Sequence, residues 1–389
     1  MMIMKKIVLI AMSCILLTGC ASRFDSNKTD ETTPNSTNKV VIPEYKISGD
    51  NYQSVLPFLP SKSRGLVVNN LNSRTDLEAF EEGLMDLSKE AFPTDKYYFR
   101  EGQFLETATI KSWLARKYSP AQLTARVLKE KDNLGLNPLD DEVGTVKERN
   151  VKAPEYLAHI LEQNYLVKSN DKVKLGGISI GLALNSVFYY KEVVGGDNLT
   201  VTTEREKLVA EGKKLAQEVI TRMRNDKDIP NVPITIALFE QQSVGSVLPG
   251  TFLTSTDLGK GDGTISNWKD IDKKNILFPS TEADKNYHGD QETFMNFKDA
   301  VEEYFPNFSG VIGLATYKNK VFEELRITIP IQFYGKTEVL SFTQFVAGEV
   351  MRIFPSSVQV DVEITSTNGS EALIVRTPGK DTPFIYIYN

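Results

Sequence analysis

Cysteine and histidine are almost missing from this chain, with two of each in 389 residues. Cys14 lies inside an apolar N-terminal leader and Cys20 stands just after it, so the rest of the chain has no thiol. Disulfide staples, thiol catalysis and cysteine-held metals are thereby excluded from the folded part, which its cores alone must hold together. His159 and His288 lie far apart, and neither has partners at ligand spacing, so no metal or other cofactor is expected. A basic excess is lacking as well. The net charge of −6 argues against nucleic acid as the main partner and against a polybasic membrane patch. The apolar run Ile7 to Leu17 has only 11 residues. That is too short for a hydrocarbon core needing roughly 20.

Catalytic signatures are absent too. There is no Gly-x-Ser-x-Gly elbow, Walker loop or dinucleotide fingerprint. Asp257-Leu-Gly-Lys-Gly-Asp-Gly263 has glycines where a calcium loop needs side-chain oxygens. Ser169 and Lys172 have a serine–lysine spacing but lack its companion elements. The acidic groups Asp140-Asp-Glu142 and Glu302-Glu303 read as solvated faces. The expectation is a protein that is not an enzyme. The alternative is an extracytoplasmic hydrolase of cell-wall or peptide substrates, recognisable by acidic groups with raised pKa converging in a pocket.

What is present begins with the leader. Lys5-Lys6 precede the apolar run, and small residues then lead into a cysteine, the layout of a cleavable signal. Leu17-Thr18-Gly19-Cys20 matches the bacterial lipoprotein signature, with peptidase recognition on Leu17, Thr18 and Gly19 and lipidation on Cys20. The product would sit on the extracytoplasmic face of the cell membrane through a diacylglyceryl cysteine. Diacylglyceryl transferase and lipoprotein signal peptidase would be its processing partners. One short acyl chain binds membranes only marginally, and a two-chain anchor meets that limit.

Residues 1–19 therefore read as signal peptide and 20–50, rich in Ser, Thr, Asn, Asp and Pro, as a disordered tether. Helical periodicity predicts helices over 76–91, 110–116, 121–130, 154–165, 204–224, 291–305 and 342–354. Thr75 or Asp76 would cap the first, and Thr203 with Glu206 has capping-box spacing. Strands are predicted over 97–105, 178–184, 232–238, 311–317, 325–333 and 358–364. Helix, strand, strand, helix, strand thus occurs twice. The reading is α+β: two related units, 51–245 and 246–389, each a curved, mostly antiparallel sheet with helices on one face. The first carries a helical insertion at about 106–173. Alternating strands should leave an open second face, and Pro233 and Pro330 suggest edge positions. Tyr97, Tyr98 and Phe99, with Tyr189 and Tyr190 after Phe188, are candidate binding aromatics for an unknown surface partner. Packing beneath the inserted helices is the alternative for them.

Arg64-Gly-Leu-Val-Val-Asn-Asn-Leu-Asn72, Tyr97-Tyr-Phe-Arg-Glu-Gly-Gln-Phe-Leu105 and Gly135-Leu-Asn-Pro138, together with the leader, resemble the CamS-type sex pheromone precursor lipoproteins of Gram-positive bacteria. The resemblance covers nearly the whole mature chain. It implies that the cut leader is trimmed to a short hydrophobic peptide inducing plasmid conjugation, here Ser13-Cys14-Ile15-Leu16-Leu17-Thr18-Gly19, while the lipidated remainder stays at the membrane. Cys14 and Thr18 depart from the family's usual run in that segment.

Overall fold

The computed structural model describes residues 41–169, 172–304, 310–333 and 335–388. The leader, Cys20 and most of the expected tether lie outside them. In chain order the first half contains β1 (Gln53–Ser54), α1 (Leu66–Asn70), α2 (Arg74–Ser88), β2 (Tyr98–Glu101), α3 (Thr107–Leu114), α4 (Pro120–Ala125), α5 (Val146–Lys152), β3 (Leu157–Ser169), β4 (Lys172–Asn185), β5 (Val187–Tyr190), β6 (Leu199–Thr202), α6 (Arg205–Asn225), β7 (Ile234–Gln241), β8 (Thr251–Leu258) and β9 (Lys269–Asp270). The second contains β10 (Lys273–Phe278), α7 (Thr281–Asn286), α8 (His288–Tyr304), β11 (Ile312–Lys318), β12 (Val321–Pro330), α9 (Lys336–Ile353), β13 (Gln359–Ser366), β14 (Gly369–Arg376) and β15 (Phe384–Ile387).

Two sheets result, ordered β1-β2-β3-β4-β7-β8-β9 and β10-β11-β12-β13-β14-β15. Each contains the same four-strand unit. An antiparallel pair leads through a helix into a strand parallel to the second, and an antiparallel partner follows. The parallel registers carry matching apolar ladders: Ile178↔Ile234, Ile180↔Ile236 and Leu182↔Leu238 in one, Leu325↔Val360, Ile327↔Val362 and Ile329↔Ile364 in the other. The α+β class and its two related units therefore stand.

The match between copies differs from the one read in the sequence. Residues 154–165 are not helical; Leu157–Ser169 is β3, the counterpart of β11. The true insertion runs from the end of β2 to the start of β3, and β2 pairs antiparallel with β3 as β10 does with β11. Tyr156, Leu157, Ile160 and Leu161 mimic a helical stripe because β3 is buried on both faces, which erases the period of two.

That double burial also changes the layering of the first sheet. On one face α6 buries Leu208, Leu215, Val219, Ile220 and Met223 against the isoleucine ladders. On the other face lies α2, with Phe80 and Leu84 over Ala183, Ala237 and Phe239. The open face expected there is closed by small residues that make room for the helix. A Cβ on Gly181 would meet Phe80 at 2.7 Å, and the Ser179 and Ser88 hydroxyls are 2.6 Å apart. Each fully buried phenylalanine of this kind contributes about 1.5–3 kcal/mol of transfer free energy. In the second sheet α8 and α9 share one face, with Phe294, Phe297, Phe342 and Val346 in a single core. There the other face is open, with Arg326, Thr328 and Glu363 exposed.

The ends of several elements depart from expectation. Ser73, not Thr75 or Asp76, caps α2 by accepting from the Asp76 amide. The residue before α6 is Glu204, which makes no side-chain cap bond. Pro233 and Pro330 stand at the ends of central strands rather than on edges: Pro233 directly precedes β7, where its carbonyl accepts from Ile178, and Pro330 closes β12. The last ten residues of the expected tether follow the β1–β2 edge, mostly exposed, where Val41 bridges to Leu56 and Lys46 donates to the Thr94 carbonyl at 3.2 Å. Ile271 and Asp272 connect β9 to β10 between the two sheets, and the Asn275 side chain on β10 also donates to the Pro249 carbonyl at 3.5 Å. The Ile271 amide donates to Leu253, and the Asp272 carbonyl accepts from Asn319.

Candidate functional site

The insertion, the β5–β6 hairpin and loop 242–250, which the second unit lacks, collect at one end of the first sheet. Leu157, where the insertion returns, pairs with Leu184 at the end of β4. The β5–β6 hairpin leaves from that same end of β4, and the long loop 242–250 joins β7 to β8 there, with Glu240 paired to Thr251. In the second unit the matching β13–β14 connection is a tight turn from Ser366 to Gly369.

Two of the sequence motifs, 64–72 and 135–138, build this end, and the third joins β2 to α3. The Asn72 backbone amide donates to Gln241 Oε1 at 3.0 Å, and its side-chain amide donates to the Gln242 carbonyl at 2.6 Å. Asp76, fully buried, accepts from the Gly250 amide at 2.6 Å and so holds the far side of the loop. Burial raises its pKa, opposed by those amides. Asn137 is buried and binds both the Leu114 carbonyl and the backbone of Leu157, pinning α3 to β3. Gly135 is required beside it, since a Cβ would lie 2.2 Å from the Arg116 carbonyl oxygen. Glu162 on β3 accepts from the amides of Gln103, Phe104 and Leu105 and from Asn164, anchoring the strand-to-helix passage at Gly102. Its burial raises the carboxyl pKa. These carboxylates are committed to backbone amides.

His159 stands on β3 rather than on a helix, buried, with the Asn70 amide 3.1 Å from Nδ1. Desolvation pulls its pKa down to about 4. The acidic turn Asp140–Glu142 is ion-paired to Arg149, Lys152 and Arg126, and Glu302 to Lys298. Asp262 folds back to accept from the Gly259 amide at 2.8 Å within the glycine-rich loop. Among the described residues, no group of three His, Cys, Asp or Glu could hold a metal.

The candidate aromatics separate into two groups. Tyr97 and Phe99 pack with Phe92, Tyr52 and Tyr165 in a satellite core. They sit beneath the N-terminal segment, not beneath the inserted helices. Tyr98 faces the other way, half-buried. Tyr189 and Tyr190 belong to the elaborated end. The Tyr189 hydroxyl accepts from the Val244 amide at 2.9 Å, Tyr190 stacks on Phe188, and the Arg116 guanidinium lies 5.7 Å from the Phe188 ring. Around them Val193, Val194, Val244 and Val247 are each at least 60% exposed. An open groove of about 440 Å³ continues from loop 243–248 to Leu277, Ser280 and Glu282 of the second unit. The valines of loop 242–250 carried no sequence signal; the length of the loop against its counterpart shows only once the copies are aligned.

A duplicated α+β sheet unit, elaborated at one end of its first copy, is the class this architecture defines. The chain belongs to the CamS family: the model described as "CamS sex pheromone cAM373 precursor" matches residues 58–382. A solved sex pheromone precursor from Lactobacillus salivarius subsp. salivarius UCC118 is 33% identical, with a TM-score of 0.80 over 90% of this chain and 99% of that one. The C-terminal domain of the sex pheromone staph-cAM373 precursor from Staphylococcus aureus is 31% identical, with a TM-score of 0.72 over 82% and 98%. No curated protein matches the chain.

Proposed function

We propose that this chain is made as a lipoprotein precursor with two products. In this reading Cys20 is acylated and the leader is cut between Gly19 and Cys20. The fragment Ser13–Gly19 is released as a hydrophobic conjugation-inducing peptide, uncharged in its side chains. The mature part stays on the extracytoplasmic face of the membrane and binds a surface partner through the elaborated end of its first sheet. Membership of a pheromone-precursor family supports the first product. The observation that carries the second is the gathering of the insertion, the β5–β6 hairpin and loop 242–250 at one end, with four exposed valines. Exposed apolar side chains gathered on one end of a fold suit an interaction surface.

Mass spectrometry of the membrane fraction and of the culture medium tests the processing. Membranes should yield a chain beginning at an acylated Cys20, the medium should yield Ser13–Gly19, and Cys20→Ser should abolish both. An unacylated product, or one still bearing its leader, would refute the reading. Changing Val193, Val194, Val244 and Val247 to serine should abolish capture of wall fragments or surface proteins by the intact lipoprotein. Equal capture would remove the elaborated end from consideration.

A further inference from the structure

Sheet edges are where this fold guards itself, with one exception. The two large sheets end on β1 and β9 in the first unit and on β10 and β15 in the second. An outer strand offers unpaired N–H and C=O groups to any other strand, and proteins blunt it by shortness or charge. β1 has two residues, and Val41 bridges to Leu56 just after it. β9 also has two, Lys269 and Asp270, with Lys269 2.5 Å from Glu90. β10 begins with the exposed Lys273 and Lys274, and its Asn275 reaches the Pro249 carbonyl. β15 has no such device. Phe384-Ile-Tyr-Ile387 and the following Tyr388 carry no charge and no proline. Phe384, Ile385, Tyr386 and Tyr388 are 61%, 40%, 48% and 36% exposed.

Register decides what this edge presents. The Tyr388 amide donates inward to the Glu371 carbonyl, and Ile387 stands opposite Ala372. Antiparallel alternation then turns the N–H and C=O of Phe384, Tyr386 and Tyr388 toward β14 and those of Ile385 and Ile387 outward. Side chains alternate as well. Phe384, Tyr386 and Tyr388 share the open face of the sheet, where the Tyr386 and Tyr388 rings meet edge to face at 5.0 Å. Ile385 and Ile387 lie on the helix-covered face, and Ile387 packs against its core.

A second copy of β15, laid antiparallel about a two-fold axis at Tyr386, satisfies every outward group. Ile385 of each copy exchanges N–H···O=C bonds with Ile387 of the other. Tyr386 then faces its own copy, and Phe384 faces Tyr388 of the second chain. Aromatic rings meet aromatic rings on one face, isoleucine meets isoleucine on the other, and no charge is opposed to its like. The strand is its own complement. We propose that the β15 edge is a self-association surface, through which two copies of this chain join their second sheets into one continuous sheet. Closing these side chains removes about 400 Å² from each copy. That total lies below the roughly 1,200 Å² of a stable interface, so the contact is transient. It involves neither the valine-bearing end nor the lipid anchor.

A disulfide trap tests it. Residues opposed in a non-hydrogen-bonded antiparallel pair have Cα atoms about 4.5 Å apart, within disulfide reach. The purified intact chain carrying Tyr386→Cys, at about 100 μM so that a weak dimer is populated, is oxidised with copper–phenanthroline. On a non-reducing gel it should give about 10-fold more dimer than Thr328→Cys, an exposed site on the same open face. Phe384→Cys and Tyr388→Cys should each cross-link poorly alone and reach the level of Tyr386→Cys when mixed. Cys14 and Cys20 are present in every variant, so dimers through them set a common baseline. Ile385→Pro removes an outward N–H and spares the bonds to β14; added to Tyr386→Cys, it should cut the dimer about 10-fold. Equal cross-linking at Thr328→Cys, no gain on mixing Phe384→Cys with Tyr388→Cys, or dimers indifferent to Ile385→Pro would each overturn the proposal. The mixing experiment reads register, which a locally unfolded strand would not reproduce. Capture by the four-valine variant is read separately, so either claim can fail alone.

Discussion

Acid should destabilise this protein through His159. The ring lies on β3 with 1% of its surface exposed and Nδ1 3.1 Å from the Asn70 side-chain amide, and burial favours the neutral imidazole. In the unfolded chain the group titrates at its ordinary value of 6.5; in the fold it is pulled down to about 4. A histidine depressed in this way stabilises the fold fully above pH 6.5. That stability is lost as pH falls toward 4, because the unfolded state takes up the proton first. At 1.36 kcal/mol per pH unit the loss reaches about 2 kcal/mol by pH 5 and about 3 kcal/mol at pH 4. Glu162, Asp76 and Asp361, all raised by burial, act in the opposite sense over the acid range. The comparison must therefore be between the natural chain and His159→Gln, in which the carboxylates cancel. Urea unfolding followed by circular dichroism at pH 7.5 and pH 5 should show the natural chain losing about 2 kcal/mol more than the variant between the two. With only two histidines in the chain, their Cε1–H resonances give a direct check. One should remain at its neutral position down to pH 5. Equal pH dependence in both proteins, or two resonances titrating near 6.5, would refute the reasoning.

Other outcomes follow from packing and from buried charge. Arg376, 2% exposed, donates to the carbonyls of Val350, Phe354, Pro355 and Val358 at the end of α9, and burial lowers its pKa. Arg376→Met keeps the apolar stem but orphans those carbonyls, and should cost about 3 kcal/mol in the second unit; a loss below about 1 kcal/mol would show that water replaces the guanidinium. Gly177→Ala puts a methyl 2.1 Å from the Phe92 ring and should cost about 1–3 kcal/mol. Phe92→Leu in the same chain should recover part of that in thermal unfolding, which a backbone effect would not allow.

The sequence showed those elements whose burial is one-sided. α6, predicted over 204–224, spans Arg205–Asn225, and β13, predicted over 358–364, spans Gln359–Ser366. Each has a buried and a solvated face, so its period is visible. β3 was hidden by burial on both faces. β8, β10, β14 and β15 went unread because they follow turns rather than helices, although Asn368-Gly369, with Gly369 at φ 123°, is a hairpin signal that places β14. At the elaborated end, Tyr189 and Tyr190 were legible as candidate binding aromatics in a run of three rings with Phe188. The anchoring roles of Asn72, Asp76, Asn137 and Glu162 were not, since a buried polar residue reads like a surface one until its backbone partners are known.

The two-residue junction at Ile271 and Asp272 has a mechanical consequence. One residue is fastened to the first core and the other to the turn after β11, so no slack separates the halves. Torque applied to the anchored half is transmitted to its neighbour rather than absorbed between them. A change in the angle at this join would open or shut the groove beside Leu277 directly, like a stiff elbow rather than a rope.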